Sequence, residues 1–130
     1  MQILVTDDNS AARKILSSHL QPYGEVDEVQ SGMETVDAVR SRLEENNPYQ
    51  LIFLDINMPQ MTGLEALSAI RSLEKDSAGQ QARRARIVMI SSMRDKKTVQ
   101  DALTFQADGF LLKPTTPQLI KKELKRLKLL

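Results

Sequence analysis

The sequence predicts an α/β domain built around a parallel sheet, and two observations predict it. First, five short apolar runs recur along the chain, and segments with helical spacing follow them. Second, four of the five runs are continuously apolar, which is typical of strands that are buried on both faces of a parallel sheet. Strands and helices that alternate in this way form right-handed crossovers, so we expect helices on both faces of the sheet.

Each apolar run is short enough to be one strand and is closed by polar residues or turn formers. The runs are Ile3–Val5, Val26–Val29, Leu51–Leu54, Ile87–Ile90 and Phe110–Leu112. The second run alternates between apolar and charged residues. We therefore expect this strand to form an exposed edge of the sheet.

Apolar residues three and four positions apart predict a helix after each strand. The predicted apolar stripes are Ala12, Ile15, Leu16 and Leu20; Val36, Val39 and Leu43; Leu64, Leu67 and Ile70; Val99, Ala102 and Leu103; and Ile120, Leu124 and Leu127. Polar residues that favour the N-cap precede the stripes, namely Asn9 or Ser10, Ser31, Thr62, Asp95 and Thr116. Pro117 takes a favourable first helical position. The later part of the polar segment Glu74–Arg86, which contains Gly79, predicts a loop.

Length and composition restrict the class of protein. A chain of 130 residues is expected to be complete and to fold as one domain spanning residues 1–130. It has no cysteine, which excludes disulfides and thiolate zinc sites and is compatible with the cytoplasm. It shows no signal peptide and no membrane span, so we expect a soluble protein without membrane insertion. With 18 basic and 17 acidic residues, the chain has no general electrostatic affinity for nucleic acid, and the basic segment KKELKRLK is interpreted as a solvated helix face.

Polar side chains stand directly after four of the predicted strands. Asp7 and Asp8 follow the first strand, Asp55 the third, Ser91 the fourth and Lys113 the fifth. Ligands of such sheets bind outside the carboxyl ends of the strands, so these side chains are expected to converge there. Three neighbouring carboxylates repel one another unless a cation is present. A hard divalent cation with oxygen ligands, Mg²⁺ above all, is the natural partner.

The motifs at these strand ends resemble those of the receiver domains of two-component response regulators. They are DD after the first strand, LDINMP with Gly63 after the third, SS after the fourth and FLLKP at the fifth. Each motif alone is unspecific, but all of them occur in the right order at the right strands. The resemblance covers the whole chain, as in stand-alone, CheY-like receivers. It implies a doubly wound (βα)5 flavodoxin-like sandwich with strand order 2-1-3-4-5.

The resemblance also implies a phosphorylation site that depends on Mg²⁺. Asp55 matches the phosphoacceptor and one of the metal ligands. Asp8 matches the family's direct metal ligand, and Asp7 a ligand that acts through water. Asn57 would contribute its backbone carbonyl to the metal.

Three further positions match residues that respond to the phosphoryl group in the family. Lys113 matches the invariant lysine, Ser91 the switch hydroxyl and Phe110 the aromatic switch, and the Lys113–Pro114 bond would be cis. The chemistry agrees with these roles, because a carboxylate that attacks a phosphoryl group needs the charge on the transferring oxygens neutralised. A divalent cation and the Lys113 ammonium would do this from two sides, and the Ser91 hydroxyl can donate a hydrogen bond.

Single residues also have simpler interpretations. Asp7 and Asp8 are compatible with caps of the first helix, Lys113 with a solvated surface lysine, and Phe110 with an ordinary core residue. His19, the single histidine, is expected to be structural or exposed rather than a metal ligand.

Two positions depart from the family pattern: Ser92 stands where a very small residue is usual, and Gln106 replaces a common glycine.

The leading functional hypothesis is a phosphoacceptor signalling module rather than an enzyme with a separate substrate. It would take its phosphoryl group from a histidine kinase or phosphotransfer protein and hydrolyse it slowly. We expect a downstream protein to bind residues 95–127, formed by helix Asp95–Gln106, strand Phe110–Leu112 and helix Pro117–Leu127. Lysines at 96, 97, 121, 122 and 125 favour an acidic partner.

Three other functions are possible for an α/β domain of this kind, and the sequence favours none of them. A haloacid-dehalogenase-like phosphatase would carry a second aspartate where Asn57 stands. A nucleotide or flavin carrier would have a glycine-rich phosphate loop after Ile3–Val5, which the sequence lacks. A degenerate receiver that binds partners without phosphorylation would not need the intact set of acidic, hydroxyl and lysine residues.

Overall fold

A computed structural model describes residues 1–77, 84–92 and 96–130 of the chain. Within them, strands and helices alternate from the first residues to the last. The strands are β1 (Gln2–Thr6), β2 (Glu25–Val29), β3 (Leu51–Asp55), β4 (Arg86–Ser91) and β5 (Gly109–Leu112). The helices are α1 (Ser10–Leu20), α2 (Gly32–Glu44), α3 (Gly63–Asp76), α4 (Lys96–Thr104) and α5 (Pro117–Arg126), and a 3₁₀ turn at Gln21–Tyr23 follows α1.

The sheet is parallel and has the strand order β2-β1-β3-β4-β5. This order and the parallel pairing confirm the predicted fold class. Strand β2 lies at an edge and is largely exposed, as its alternating sequence predicts. The register pairs Thr6 with Leu54 and Asp55 with Ile90. The ends of β1, β3 and β4 are therefore level, and the residues that follow them meet at one edge.

The strands are apolar on both faces because each face is covered by helices. Leu4, Ile52 and Leu54 lie in one core cluster with residues of α2 and α3. Val5, Phe53 and their neighbours lie in the other cluster with residues of α1 and α5. The alternation along β3 thus divides one continuous apolar run between two cores. No helix of the described residues is long and apolar enough to cross a membrane.

Four of the predicted helix starts are confirmed by side chains that cap the helix. Asn9 accepts from the backbone N–H of Ala12 at 2.9 Å and begins α1. The caps of α2, α3 and α5 are Ser31, Thr62 and Thr116. The predicted cap Asp95 and the loop residue Gly79 lie outside the described residues. Helix α4 ends at Thr104, two residues before the predicted end, and α5 ends at Arg126.

Two residues assigned to the apolar stripes are exposed. Ile15 is 55% exposed and Leu103 is 63% exposed. The buried face of α1 consists of Arg13, Leu16, Ser17 and Leu20, which is a helical stripe rotated away from Ile15. The sequence prediction for Ile15 was wrong because it counted only apolar residues, whereas an arginine and a serine occupy part of the buried face. In α4, Ala102 is buried and Leu103, the next residue, points outward.

Candidate functional site

Three carboxylates meet at the carboxyl ends of β1 and β3. Oxygen atoms of Asp7, Asp8 and Asp55 lie within 4.8 Å of one another. Asp7 is 1% exposed and Asp55 is 3% exposed, whereas Asp8 faces solvent. This arrangement combines two buried charges with one that is open to water. Such a set of oxygens suits a hard divalent cation.

Lys113 brings a positive charge to the two buried carboxylates. Its Nζ lies 2.7 Å from Oδ2 of Asp7 and 3.2 Å from Oδ2 of Asp55. The backbone N–H of Lys113 donates to the carbonyl of Ser91 at 2.8 Å, which continues the β4–β5 pairing into the site. The Lys113–Pro114 peptide bond is cis, as predicted. The interpretation of Lys113 as a solvated surface lysine is therefore wrong.

The surroundings of the site raise the pKa of both its acid and its base, for different reasons. Burial, followed by the charge of Asp7, raises the pKa of Asp55 from 3.8 to about 6, although Lys113 and the Asn57 N–H partly oppose the change. For Lys113, burial alone would lower the pKa. The hydrogen bond to Asp7 and the charges of Asp55 and Asp7 together outweigh it, so the pKa of Lys113 is raised. Asp55 is consequently ionised at neutral pH but poorly solvated, which suits a nucleophile.

The turn after β3 fixes the direction of the Asp55 side chain. The backbone N–H of Asn57 donates to Oδ1 of Asp55 at 3.2 Å, and the Asn57 amide donates to Oγ of Ser91 at 3.4 Å. Gly63 donates its N–H to the carbonyl of Ile56 at 2.8 Å. A Cβ on Gly63 would lie only 2.1 Å from the carbonyl oxygen of Asp55. Glycine is thus needed at position 63 because the backbone there passes close to the end of β3, and not because that backbone must be flexible.

The structure resolves whether the aspartate pair caps the first helix. Asn9 is the N-cap of α1. Oδ1 of Asp7 accepts from the backbone N–H of Asn9 at 3.0 Å, and its other oxygen pairs with Lys113. Asp7 and Asp8 therefore follow the strand and form the turn before the helix, and neither of them caps it.

The remaining predicted residues lie on β4 and β5. Ser91 is fully buried at the end of β4. Ser92 is exposed and lines a cavity of about 380 Å³ together with Asp7, Ile15 and Lys113. Phe110 pairs with Met89 in the sheet and is half-buried against the core that α2 and α3 cover. It lies on a different part of β5 from the strand end that carries Lys113.

One residue that contacts the site was missed by the sequence prediction. Arg13 of α1 is 9% exposed, and its NH1 donates to the backbone carbonyl of Asp7 at 2.9 Å. A signal existed in the sequence, because Arg13 precedes Leu16 and Leu20 by three and seven positions. These are the spacings of one helix face.

Comparisons with known proteins place this site in a family. The sequence profile of the response regulator receiver domain matches residues 3–125 of the chain. The chain belongs to the receiver-domain family. A chemotaxis protein CheY homolog of Campylobacter jejuni subsp. jejuni is 32% identical over 126 residues, which cover 95% of this receiver domain and 89% of the relative. The chain is therefore a signalling module with a CheY-like receiver fold.

Two solved structures are similar in fold and were obtained with ligands. The receiver domain of the histidine kinase CKI1 from Arabidopsis thaliana, complexed with Mg²⁺ and BeF3⁻, is 28% identical with a TM-score of 0.81 and covers 95% of this chain and 89% of its own. The CheX-CheY-BeF3-Mg²⁺ complex from Borrelia burgdorferi contains a chain that is 25% identical with a TM-score of 0.83. That alignment covers 98% of this receiver domain and 89% of the other chain. The acidic cluster of this receiver domain is compatible with the Mg²⁺ site of its family.

Proposed function

We propose that this receiver domain accepts a phosphoryl group on Asp55 in a reaction that depends on Mg²⁺. The observation that carries the proposal is a buried carboxylate flanked by an ammonium and two further carboxylates. Lys113 Nζ is 3.2 Å from Asp55, and the oxygens of Asp7 and Asp8 lie within 4.8 Å of it. A static structural role would not require two buried acids to share a lysine beside a third, exposed acid.

The donor set fits Mg²⁺, and the environment of each acid favours a particular division of roles. Both oxygens of Asp7 are engaged, one with Lys113 and one with the Asn9 N–H, which favours contact with a metal through water. Asp8 is exposed, and its carboxylate has no hydrogen bond or ion pair to other described residues, so it is available as a direct ligand. Asp55 and the backbone carbonyl of the exposed Asn57 would complete the protein ligands. Bound Mg²⁺ would neutralise negative charge on the phosphoryl oxygens.

The residues of the chain account for the transfer itself. An oxygen of Asp55 attacks phosphorus and forms an acyl phosphate, while the bond from phosphorus to the donor's nitrogen or oxygen breaks and its electrons leave with the donor. Lys113 can donate to the incoming phosphoryl oxygens, since it already contacts Asp55. The Ser91 hydroxyl, at the end of the neighbouring strand, can donate to another of these oxygens. Slow attack of water on the acyl phosphate would restore Asp55.

The proposed phosphoryl donors are a histidine kinase or a phosphotransfer protein, and the proposed output is a protein that binds the face made by α4, β5 and α5. This output face presents exposed apolar side chains at Leu103 and Leu119. Around them, Lys97, Lys121, Lys122 and Lys125 are exposed; the Lys96 side chain lies outside the described part of the chain. An acidic partner with apolar anchors would suit this combination.

The coupling between the site and the output face would pass through β4 and β5. Movement of Ser91 towards the phosphoryl group would free space near Phe110, whose ring would rotate inward. Amide NMR spectra with and without beryllofluoride and Mg²⁺ test this step. We expect shifts in α4, β5 and α5. Shifts restricted to Asp7, Asp8, Asp55 and their immediate neighbours would refute the coupling and leave the phosphorylation site in place.

Phosphorylation is tested by the intact mass of the protein after incubation with a small phosphodonor. We expect the mass of one phosphoryl group to be added with Mg²⁺ and not with a chelator. Asp55→Asn should prevent labelling, whereas Asp37→Asn, a change at an exposed acid of α2 that pairs with Arg40, should not. Asp8→Asn should weaken Mg²⁺ binding, while Lys113→Ala should spare it. Mg²⁺-dependent labelling of Asp55→Asn at the normal rate would refute the proposal.

A further inference from the structure

Arg13 is a buried cation beside the acidic cluster, and it does not neutralise that cluster. Its NH1 donates to the backbone carbonyl of Asp7 at 2.9 Å. Its Nε donates to Oε1 of Glu28 on the edge strand β2 at 3.1 Å. The guanidinium therefore joins the end of β1 to β2 and leaves the carboxylate of Asp7 to its partners Lys113 and Asn9.

The carbonyl that Arg13 binds belongs to the peptide group that links Asp7 to Asp8. The orientation of this peptide decides where the Asp8 side chain points, because it sets the backbone dihedral angles on either side. Asp7 is also held through its own N–H, which donates to the carbonyl of Val29 at 3.3 Å. Asp8 is exposed, and its side chain makes no hydrogen bond to another described residue that would hold this peptide group. The Arg13 hydrogen bond thus holds this peptide group from α1, in addition to the Asn9 N–H that holds the Asp7 side chain.

Glu28 explains how a buried guanidinium is tolerated at this position. An unpaired buried charge is costly, and an unpaired positive charge would also repel a divalent cation nearby. The Glu28 carboxylate offsets the charge of Arg13 and accepts its Nε–H. The pair is neutral as a whole, so it can hold the Asp7 carbonyl without weakening the attraction of the three acids for a cation.

We infer that Arg13 is a positioning residue of the metal site and that Glu28 keeps Arg13 in place and electrically neutral. The inference deepens the proposed function, since it rests on Mg²⁺ binding at Asp7, Asp8 and Asp55. Residues that orient metal ligands from outside typically change metal affinity by about 10- to 100-fold when they are removed. We expect the lower end of this range here, because the Arg13 hydrogen bond reaches the backbone between the ligands and not a ligand atom.

The two residues should affect Mg²⁺ binding in different ways. Arg13→Met removes the hydrogen bond to the Asp7 carbonyl, so the Kd for Mg²⁺ should rise about tenfold relative to the wild type at the same salt concentration. Glu28→Gln keeps that hydrogen bond but leaves the guanidinium charge without its counter-ion. The Kd should then rise about threefold at low salt, and most of this effect should vanish at about 0.5 M salt, where charges are screened within a few ångströms.

The test is calorimetric titration of Mg²⁺ into each full-length protein without any phosphodonor, at low and high salt. The variants are Arg13→Met, Glu28→Gln and their combination, which should behave like Arg13→Met at high salt, where the unpaired Glu28 charge of the single variant is screened. Arg42→Met is the matched control, because Arg42 also pairs with an acid of the edge strand, Asp27, at 2.8 Å. Its other hydrogen bonds to described residues go to Gln2 and Asn47 and not to Asp7. It should lower stability and leave the Kd unchanged. Amide NMR of the metal-free proteins should show shifts at Asp8 and Asn9 for the two variants that lack Arg13 and not for the others.

The outcomes separate this inference from the proposed function. A folded Arg13→Met protein with a Kd within twofold of the wild type would overturn the positioning role while the phosphorylation site stands. If Arg13→Met does not fold, a Glu28→Gln protein with wild-type affinity at low salt would overturn it equally. An Arg42→Met protein that loses as much affinity would show a general effect of stability and overturn it too. A wild-type protein that does not bind Mg²⁺ would overturn the metal part of the proposed function and this inference together.

Discussion

Replacing Asp55 by asparagine should stabilise the protein at pH 8. Asp55 is 3% exposed, and burial together with the Asp7 charge raises its pKa from 3.8 to about 6. The folded state therefore binds the Asp55 proton more tightly than the unfolded state does. The stability that this proton confers is fully present below about pH 3.8 and is lost as the pH rises to about 6. Asparagine resembles the protonated carboxyl group, so it should keep that stability at every pH.

The size of the effect follows from the pKa change. A difference of about two pH units at about 1.4 kcal/mol each gives about 3 kcal/mol at pH 8. At pH 4.5, where most of the folded wild type holds the proton, the gain should fall to about 1 kcal/mol. For a domain of this size, the pH 8 gain corresponds to a rise in Tm of roughly 10 °C.

Urea denaturation of the metal-free proteins at pH 8 and pH 4.5 measures both values. The m-values should agree between wild type and variant, since the surface exposed on unfolding is unchanged. Asp37→Asn serves as the control, because the Asp37 side chain is 70% exposed and, among the described residues, pairs with Arg40 alone. It should change stability by less than about 0.5 kcal/mol at both pH values. A gain for Asp55→Asn that is equal at both pH values, or a loss at pH 8, would refute the electrostatic reasoning.

Four further substitutions are tested by the same urea measurement. Gly63→Ala should lower the free energy of unfolding by about 3 kcal/mol, because its Cβ would lie 2.1 Å from the Asp55 carbonyl oxygen. Gly109→Ala should cost less than about 1 kcal/mol, since its Cβ would first meet the ends of flexible side chains; equal costs would contradict this explanation. Gln106→Gly should raise stability by up to about 1 kcal/mol, because Gln106 has a φ of 71° after α4, and a loss would show that its side chain matters more than its backbone. Lys113→Met should cost about 3 kcal/mol at pH 8 and less at pH 5, where Asp55 takes up a proton; a cost independent of pH would contradict the ion pairs as its cause.

Most of the fold could be predicted because its signals are local. A continuous apolar run such as Leu51–Leu54 indicates a strand buried on both faces, and a side chain such as Thr62 can cap a helix without contacts from elsewhere. The convergence of Asp7, Asp55 and Lys113 followed from a general rule, since parallel strands end at the same edge of the sheet. The strand order came from the family resemblance, because the pattern of apolar residues does not determine which strands are neighbours.

The parts that were missed depend on contacts between distant segments. Arg13 lies on a buried helix face because Glu28 and the Asp7 carbonyl satisfy its guanidinium, and a pattern of apolar residues contains no information on such partners. Ile15 is exposed for the same reason, since Arg13 occupies the face on which Ile15 was expected. The role of Gly63 needed the position of the Asp55 carbonyl. Each of these outcomes depends on groups elsewhere in the fold that the local apolar pattern does not reveal.

The central claim is that Asp55 is the residue that carries the phosphoryl group, and chemical trapping tests it most directly. The protein is incubated with a small phosphodonor and Mg²⁺ and then treated with borohydride, which reduces an aspartyl phosphate to homoserine. Peptide mass spectrometry then identifies the reduced position. We predict homoserine at position 55 only, and none when a chelator replaces Mg²⁺. Homoserine at Asp7 or Asp8, or a stable phosphate on Ser91 with Asp55 unchanged, would contradict the account.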